Sequence, residues 1–289
     1  MSADNNIKVI RKEDEEFPWL LANMPSSPKQ LFYIGNIELL RKPCVAVVGA
    51  RKCSEYGRQV AVKIGKVLAE NRVVTVSGMA DGIDSFAHWG AIKNSGDTIA
   101  VLGCGVDICY PRVNRKLYDE ICRKGLVISE FEPGTPAKKH NFPMRNRIIA
   151  AISEVVTVVE AQSKSGSLIT AGFAAEQGKE LMAVPGNISS STSVGCNRLI
   201  ADGAGIVTRP EDIIRAMGRE PRLLSDDIFE LGEDERKIYD LLSKKGELSL
   251  DEICAYLSID PTYVSGIITV MEIKGLISYS LGKIFIEKF

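Results

Sequence analysis

The sequence predicts an α/β protein, a parallel sheet covered by helices on both faces, followed by a small C-terminal winged-helix domain. Three observations carry this. Short Val- and Ile-rich runs recur without polar alternation, as expected of strands buried on both faces. Helix-length amphipathic segments separate them, and strand, helix, strand repeated this way gives a parallel sheet. The last sixty or so residues then change to three helical patterns and a hairpin.

Taken in order, Met1–Lys42 (1–42) is an irregular lead-in, with a turn at Pro25–Pro28 and a short strand at Leu31–Ile34. The sheet domain spans 43–220. Its strand runs are Cys44–Val48, Val73–Val76, Thr98–Leu102, Leu126–Ile128, Val155–Val159, Leu181–Val184 and Ile206–Val207. Helix-length segments such as Gly57–Glu70, Ile83–Lys93 and Asn114–Lys124 lie between them. Residues 221–232, with Pro221 and a cluster of acids, form a linker. The winged-helix domain covers 233–289: helices over Asp234–Leu242, Leu250–Leu257 and Thr262–Lys274, then strands Ile277–Ser280 and Lys283–Glu287 around the turn Leu281-Gly282.

A chain of 289 residues is long enough for one sizeable α/β domain and a small second one. No apolar run approaches the ~20 residues of a membrane helix, and Met1–Glu16 is too polar for a secretion signal. The cysteines number seven, scattered singly with no CxxC pair, which reads as reduced thiols in a cytoplasm. With only His88 and His140, a histidine-based metal site is not expected. The chain carries a net charge of −1, but Asp226–Phe289 holds 13 acidic and 7 basic residues. That tail, at −6, leaves +5 on Met1–Ser225, so a polyanionic partner stays open.

Four turns between strand and helix resemble phosphate loops: Gly49–Gly57, Asn141–Arg147, Ser165-Gly166-Ser167 and Gly195-Cys196-Asn197-Arg198. Free backbone N–H groups and the positive end of a helix dipole collect anions at such places. Gly49 permits a sharp turn, Ser54 caps the next helix, and Arg51 and Lys52 project over its N-terminus. A nicotinamide site would need G-x-G-x-x-G and an acid closing the second strand. This chain has neither, and no Walker lysine motif, so neither a dinucleotide cofactor nor ATP hydrolysis is expected. In Ser77–Asp84, capping by Asp81 or Asp84 is favoured over a role as base, and His88 reads as a hydrogen-bonded core residue.

Lys138, Lys139, Arg145 and Arg147 surround Phe142. An exposed aromatic among cations suits single-stranded nucleic acid, the ring stacking a base and the cations holding phosphates. Arg145 and Arg147 stand about 200° apart by the helical period, so one is expected on the ligand and the other on a neighbouring acid. Glu160 is the candidate for that pairing, or for a general base. Ser165–Ser167, backed by Thr170, offers hydroxyls and N–H groups to a phosphate. Asn146 and Asn197 brace the loops.

Together these segments resemble the DprA/Smf family of bacterial DNA-processing proteins. The resemblance spans roughly Phe32–Arg209. It rests on Gly49-Ala50-Arg51 with Ser54-Glu55-Tyr56-Gly57, Ser77-Gly78-Met79-Ala80 with Gly82-Ile83-Asp84, and Phe142-Pro143-Met144-Arg145-Asn146-Arg147-Ile148-Ile149. It continues through Ser165-Gly166-Ser167-Leu168, Pro185-Gly186, Gly195-Cys196-Asn197 with Leu199-Ile200, and Asp202-Gly203-Ala204. It implies an extended Rossmann-like fold that binds single-stranded DNA and dimerises through that fold. It further implies protection of incoming DNA and loading of RecA recombinase in natural transformation. The family's DNA pocket uses the positions matched by Arg51, Lys139, Phe142, Arg145, Asn146 and the Ser165–Ser167 turn. Two departures stand out. The lead-in is too short for the N-terminal sterile-alpha-motif domain of many members. The third C-terminal helix has only Glu272 and Lys274 as charges, where duplex binding needs several cations. That domain is therefore expected to pack on or bind protein rather than DNA.

The resulting expectation is a cytoplasmic, non-enzymatic single-stranded DNA-binding protein without cofactor, metal or catalytic residue. Its DNA-binding residues are Gly49, Arg51, Lys52, Lys139, Phe142, Arg145, Asn146, Arg147, Ser165, Gly166, Ser167 and Asn197. Two rivals stay open. One is a nucleotide hydrolase of the phosphoribohydrolase type, whose Pro-Gly-Gly-x-Gly-Thr signature is absent although Glu176 follows Thr170. The other is a protein adaptor.

Overall fold

The computed structural model describes residues 7–15, 17–24, 26–222, 231–273, 276–280 and 282–286. Part of the predicted linker (223–230), Pro25, Lys274, Leu281 and Glu287 lie outside them. The chain divides into two units, Met1–Arg222 and Leu223–Phe289.

The first unit holds a nine-stranded sheet. It begins with β1 (Lys8–Arg11), the short α1 (Trp19–Ala22) and β2 (Gln30–Gly35). Then come β3 (Cys44–Val48), α2 (Glu55–Glu70), β4 (Val74–Ser77), α3 (Ile83–Lys93), β5 (Thr98–Val101), α4 (Arg115–Lys124) and β6 (Leu126–Ser129). The second half contributes α5 (Asn141–Ala151), β7 (Val155–Val158), α6 (Ser167–Glu176), β8 (Glu180–Ala183), α7 (Val194–Ala201), β9 (Gly205–Ile206) and α8 (Glu211–Ala216). The strand order is β1-β2-β6-β5-β4-β3-β7-β8-β9. Strands β3 to β9 pair in parallel, and every residue of β3 to β7 is buried, because helices cover both faces. The lead-in departs from expectation. Its strands β1 and β2 join the same sheet, antiparallel, with β2 paired to β6. Val9 and Phe32, like Lys8 and Tyr33, sit opposite each other in that edge ladder, a pairing that no local periodicity announces.

The chain leaves β3 for β4 on one side and returns to β3's other side with β7. The carboxyl ends of β3 and β7 therefore form a topological switch point, where open α/β sheets bind ligands. Ser54 Oγ accepts from Gly57 N at 3.0 Å and caps α2 as expected. Helices α2 and α3 touch backbone to backbone. A Cβ on Gly90 would lie 2.3 Å from the Val62 carbonyl oxygen, and one on Gly65 2.4 Å from that of Ala87. Gly90→Ala is expected to lower unfolding stability by ~1–3 kcal/mol through overpacking. Denaturant unfolding checks this, and an unchanged midpoint would mean the helices separate freely.

His88 is a buried core residue, as its apolar face suggested. Its Nδ1 lies 2.6 Å from Thr98 Oγ1, which itself donates to the Thr75 carbonyl at 2.8 Å. The imidazole is thereby the donor, and burial pushes its pKa down to about 3.

The second unit contains α9 (Glu233–Lys245), α10 (Leu250–Leu257), α11 (Pro261–Ile273) and the antiparallel hairpin of β10 (Ile277–Ser280) and β11 (Lys283–Ile286). Ile238, Leu242, Ile253, Val264, Met271 and Ile284 form its core. Ser249 and Glu252 make a reciprocal capping box at the start of α10. Among the described residues no single helix is long and apolar enough to cross a membrane.

Candidate nucleic-acid interface

A cleft of about 490 Å³ opens at the carboxyl edge of the sheet. The turn after β3, the turn after β4, the first half of α5 and the Ser165–Ser167 turn enclose it. Three of the four phosphate-type turns thus converge, although the first and third lie more than a hundred residues apart in sequence. Gly49 is required at the rim, since a Cβ there would lie 2.6 Å from Ile83 Cγ1.

Phe142, in the first turn of α5, is half-buried at the centre of the cleft. The Asn141 side chain anchors this end of α5, its Nδ2 donating to the Gly103 carbonyl at 3.0 Å. Gly103 leaves room for the ring, because a Cβ would come within 2.9 Å of it. The Tyr110 ring stacks on Phe142 with centroids 5.5 Å apart and planes 29° apart. The Arg51 guanidinium stands 5.4 Å from the Phe142 centroid and that of Arg145 6.0 Å. Tyr110 is 42% exposed and also lines the cleft, yet sequence reasoning missed it. Its only local signal is an aromatic residue before Pro111, outside any helix or strand pattern.

Arg145 is buried in the cleft floor. Its Nη1 donates to the carbonyls of Val101 and Gly78, and its Nε to Asn146 Oδ1 at 3.1 Å. Gly78 must be glycine, since a Cβ would lie 2.5 Å from Arg145 Nη2. Burial pulls the guanidinium pKa down to about 10, opposed by Asp84, so it stays cationic at neutral pH. Asp84 accepts from Gly78 N at 3.1 Å and Ala80 N at 3.4 Å, closing the turn before α3. Burial pushes this carboxyl up, and Arg145 pulls it back.

The helical period separated the two arginines correctly, but their partners differ from expectation. Arg147 does not line the cleft and pairs with Glu130, not Glu160. Glu160 meets neither arginine. It accepts from Ser54 N and Oγ at 2.8 and 2.6 Å and from Thr192 Oγ1 at 3.1 Å. A carboxylate held by three neutral donors is a structural brace. Lys139 is exposed and lines the cleft, whereas Lys52 is exposed outside it. Asn146 Nδ2 donates to the Gly166 carbonyl at 3.3 Å and ties α5 to the serine turn. In that turn Ser165 Oγ and Ser167 Oγ are 2.8 Å apart, and Gly166 is exposed. The fourth turn stays apart. The Asn197 side chain is clamped to Gly186, donating to its carbonyl at 3.0 Å and accepting from its N–H at 3.1 Å. No cluster of three or more His, Cys, Asp or Glu side chains able to hold a metal ion occurs among the described residues.

An aromatic ring flanked by guanidinium groups, beside a serine turn at a switch point, places the chain among doubly wound α/β proteins, with a cleft whose chemistry suits a ligand with both anionic and planar parts. The chain belongs to the family of DNA recombination-mediator protein A, whose profile matches residues 8–218. It is 47% identical over 201 residues to DNA processing protein DprA of Streptococcus pneumoniae, spanning 70% of this chain and 71% of that one. It is 36% identical over 288 residues to the putative DNA processing protein DprA of Mycobacterium tuberculosis H37Rv, spanning 93% and 74%. The X-ray structure of the Streptococcus pneumoniae protein superposes with a TM-score of 0.70 at 44% identity, over 73% of this chain and 74% of that one. DNA processing protein A from Helicobacter pylori, solved for its single-stranded DNA binding mode, superposes with a TM-score of 0.68 at 32% identity, over 75% and 98%. The resemblance to the DprA/Smf family is thereby established, and the extended Rossmann-like fold with it.

Proposed function

We propose that this chain binds single-stranded DNA in the cleft around Phe142 and acts there in DNA processing during transformation and recombination. The observation that carries this is the convergence of Phe142, Arg51, Arg145 and Lys139 on one cleft bordered by the Ser165–Ser167 turn. The ring stacks a base, Arg51 and Lys139 hold phosphates at the rim, and Arg145 supplies positive potential from the floor. Lys52 and Arg147 lie outside the cleft, so their share is confined to its surrounding field. Family membership supports the finer reading: protection of incoming strands, loading of RecA, a homodimer through the first unit, and work in the cytoplasm without catalysis. The cysteines, all seven of them free thiols, fit that compartment. The domain division at 43–220 and 233–289 belongs to the same reading, with the C-terminal unit as a winged helix that meets protein rather than DNA. Among the described residues of its α11, Glu272 is the only charge.

The hydrolase alternative loses its acid. Glu176 is the last residue of the ten-residue α6, whose first residue, Ser167, lines the cleft. That places Glu176 about 9 Å along the axis from Thr170, the residue of α6 furthest along that lines the cleft.

Fluorescence-anisotropy titration of labelled oligo-dT and of a duplex of equal length, at two salt concentrations, tests the reading. Oligo-dT is expected to bind more tightly, with a log–log salt slope of about −2 to −3 for three or four phosphates. Arg51→Ala is expected to weaken binding and flatten the slope by about 0.7. Flat titrations for both DNAs would sink the proposal.

A further inference from the structure

In a doubly wound sheet the first strand–helix turn holds the phosphate of a bound nucleotide, over the helix N-terminus. Here that turn joins β3 to α2, and β3 lies beside β7 at the switch point. Helix α2 has 16 residues, so its N-terminus carries a full dipole end.

An anion already sits there, and it is the protein's own. Glu160, from the end of β7, is 3% exposed. Its Oε2 accepts from Ser54 N at 2.8 Å, and its Oε1 from Ser54 Oγ at 2.6 Å and Thr192 Oγ1 at 3.1 Å. The carboxylate also rests on the first turn of α2. A Cβ on Gly57 would lie 2.5 Å from Oε2 and 2.6 Å from the carboxyl carbon. Glycine at 57 is the residue that lets an acid from β7 reach this position.

We infer that Glu160 is a specificity-determining residue that fills the phosphate position at the α2 N-terminus and closes it to nucleotide ligands. A phosphate arriving there would have to displace three hydrogen bonds, or else share the site with a negative charge at contact distance. At the helix end best placed to hold a nucleotide phosphate, Ser54 N and Gly57 N are thereby already engaged, and a carboxylate occupies the space before them. Anionic ligands are left to the neighbouring cleft of Arg51, Lys139 and the Ser165–Ser167 turn. This inference holds whether or not that cleft binds DNA, because it concerns the adjoining half of the sheet edge.

The test measures thermal unfolding of the full chain in a buffer of weakly binding anions, with and without pyrophosphate. The unsubstituted protein sets the baseline, any shift there belonging to the cleft of Arg51 and Lys139. Glu160→Ala empties the position at the α2 N-terminus, and pyrophosphate at about ten times its dissociation constant is expected to raise the midpoint by roughly 3–6 °C beyond that baseline. Glu160→Gln keeps the space filled and is expected to stay at the baseline. A folded Glu160→Ala that responds to pyrophosphate no more than the unsubstituted protein would overturn the inference. So would an equal response in Glu160→Gln, which would trace the effect to lost charge rather than to the emptied position. If Glu160→Ala fails to fold in that buffer, recovery on adding formate or pyrophosphate supports the inference, and failure to recover overturns it.

Discussion

Phe142→Ala is expected to weaken oligo-dT binding by about 5- to 150-fold, the ~1–3 kcal/mol that base–aromatic stacking contributes. The ring is half-buried, with Tyr110 on one side and guanidinium groups of Arg51 and Arg145 near it, so its loss removes a stacking surface more than it removes core. The backbone around it should hold, because the Asn141 side chain stays bonded to Gly103. Phe142→Tyr keeps the π-face and is expected to retain most of the affinity. The check is anisotropy titration paired with thermal unfolding. Unchanged affinity in Phe142→Ala with an unchanged fold would refute stacking, and a collapse of the fold would assign the ring to the core.

The second large effect falls on stability. Arg145→Met is expected to cost about 2–6 kcal/mol of unfolding free energy, at about 1–3 kcal/mol for each of the two buried carbonyls that lose their donor. The substitution removes the positive charge facing Asp84, which keeps the N–H groups of Gly78 and Ala80 and the Ser77 side chain, and it deprives the carbonyls of Val101 and Gly78 of their donor. Replacing the buried acid, which has lost the opposing guanidinium, should recover part of the loss. Arg145→Met combined with Asp84→Asn is therefore expected to be more stable than Arg145→Met alone, a coupling that urea unfolding of the four variants measures. If Arg145→Met stays within about 1 kcal/mol of the parent protein, the guanidinium's bonds to the two carbonyls are not a stabilising unit. Affinity for oligo-dT should fall too, since the loop after β4 and the floor of the cleft rest on the same guanidinium.

Much of this was legible in the residues because it depends on local pattern. Val- and Ile-rich runs are buried on both faces whatever their neighbours, so β3 to β8 stand within a residue or two of their predicted places. The helical period alone sends Arg145 and Arg147 in different directions, and Gly49, Phe142 and the serine turn are recognisable as ligand-type segments before any fold is known. Other features depended on which strands became neighbours. The antiparallel β1 and β2, the union of three turns without the fourth, and the arrival of Tyr110 against Phe142 all join segments far apart in the chain. Glu160 shows the limit most clearly. Its charge suggested an arginine partner, but three neutral donors and a space left by Gly57 hold it instead. Which donors surround a buried carboxylate follows from how the strands order themselves at the switch point. Periodicity reports burial and direction for one segment at a time, whereas partnership is a property of the assembled sheet.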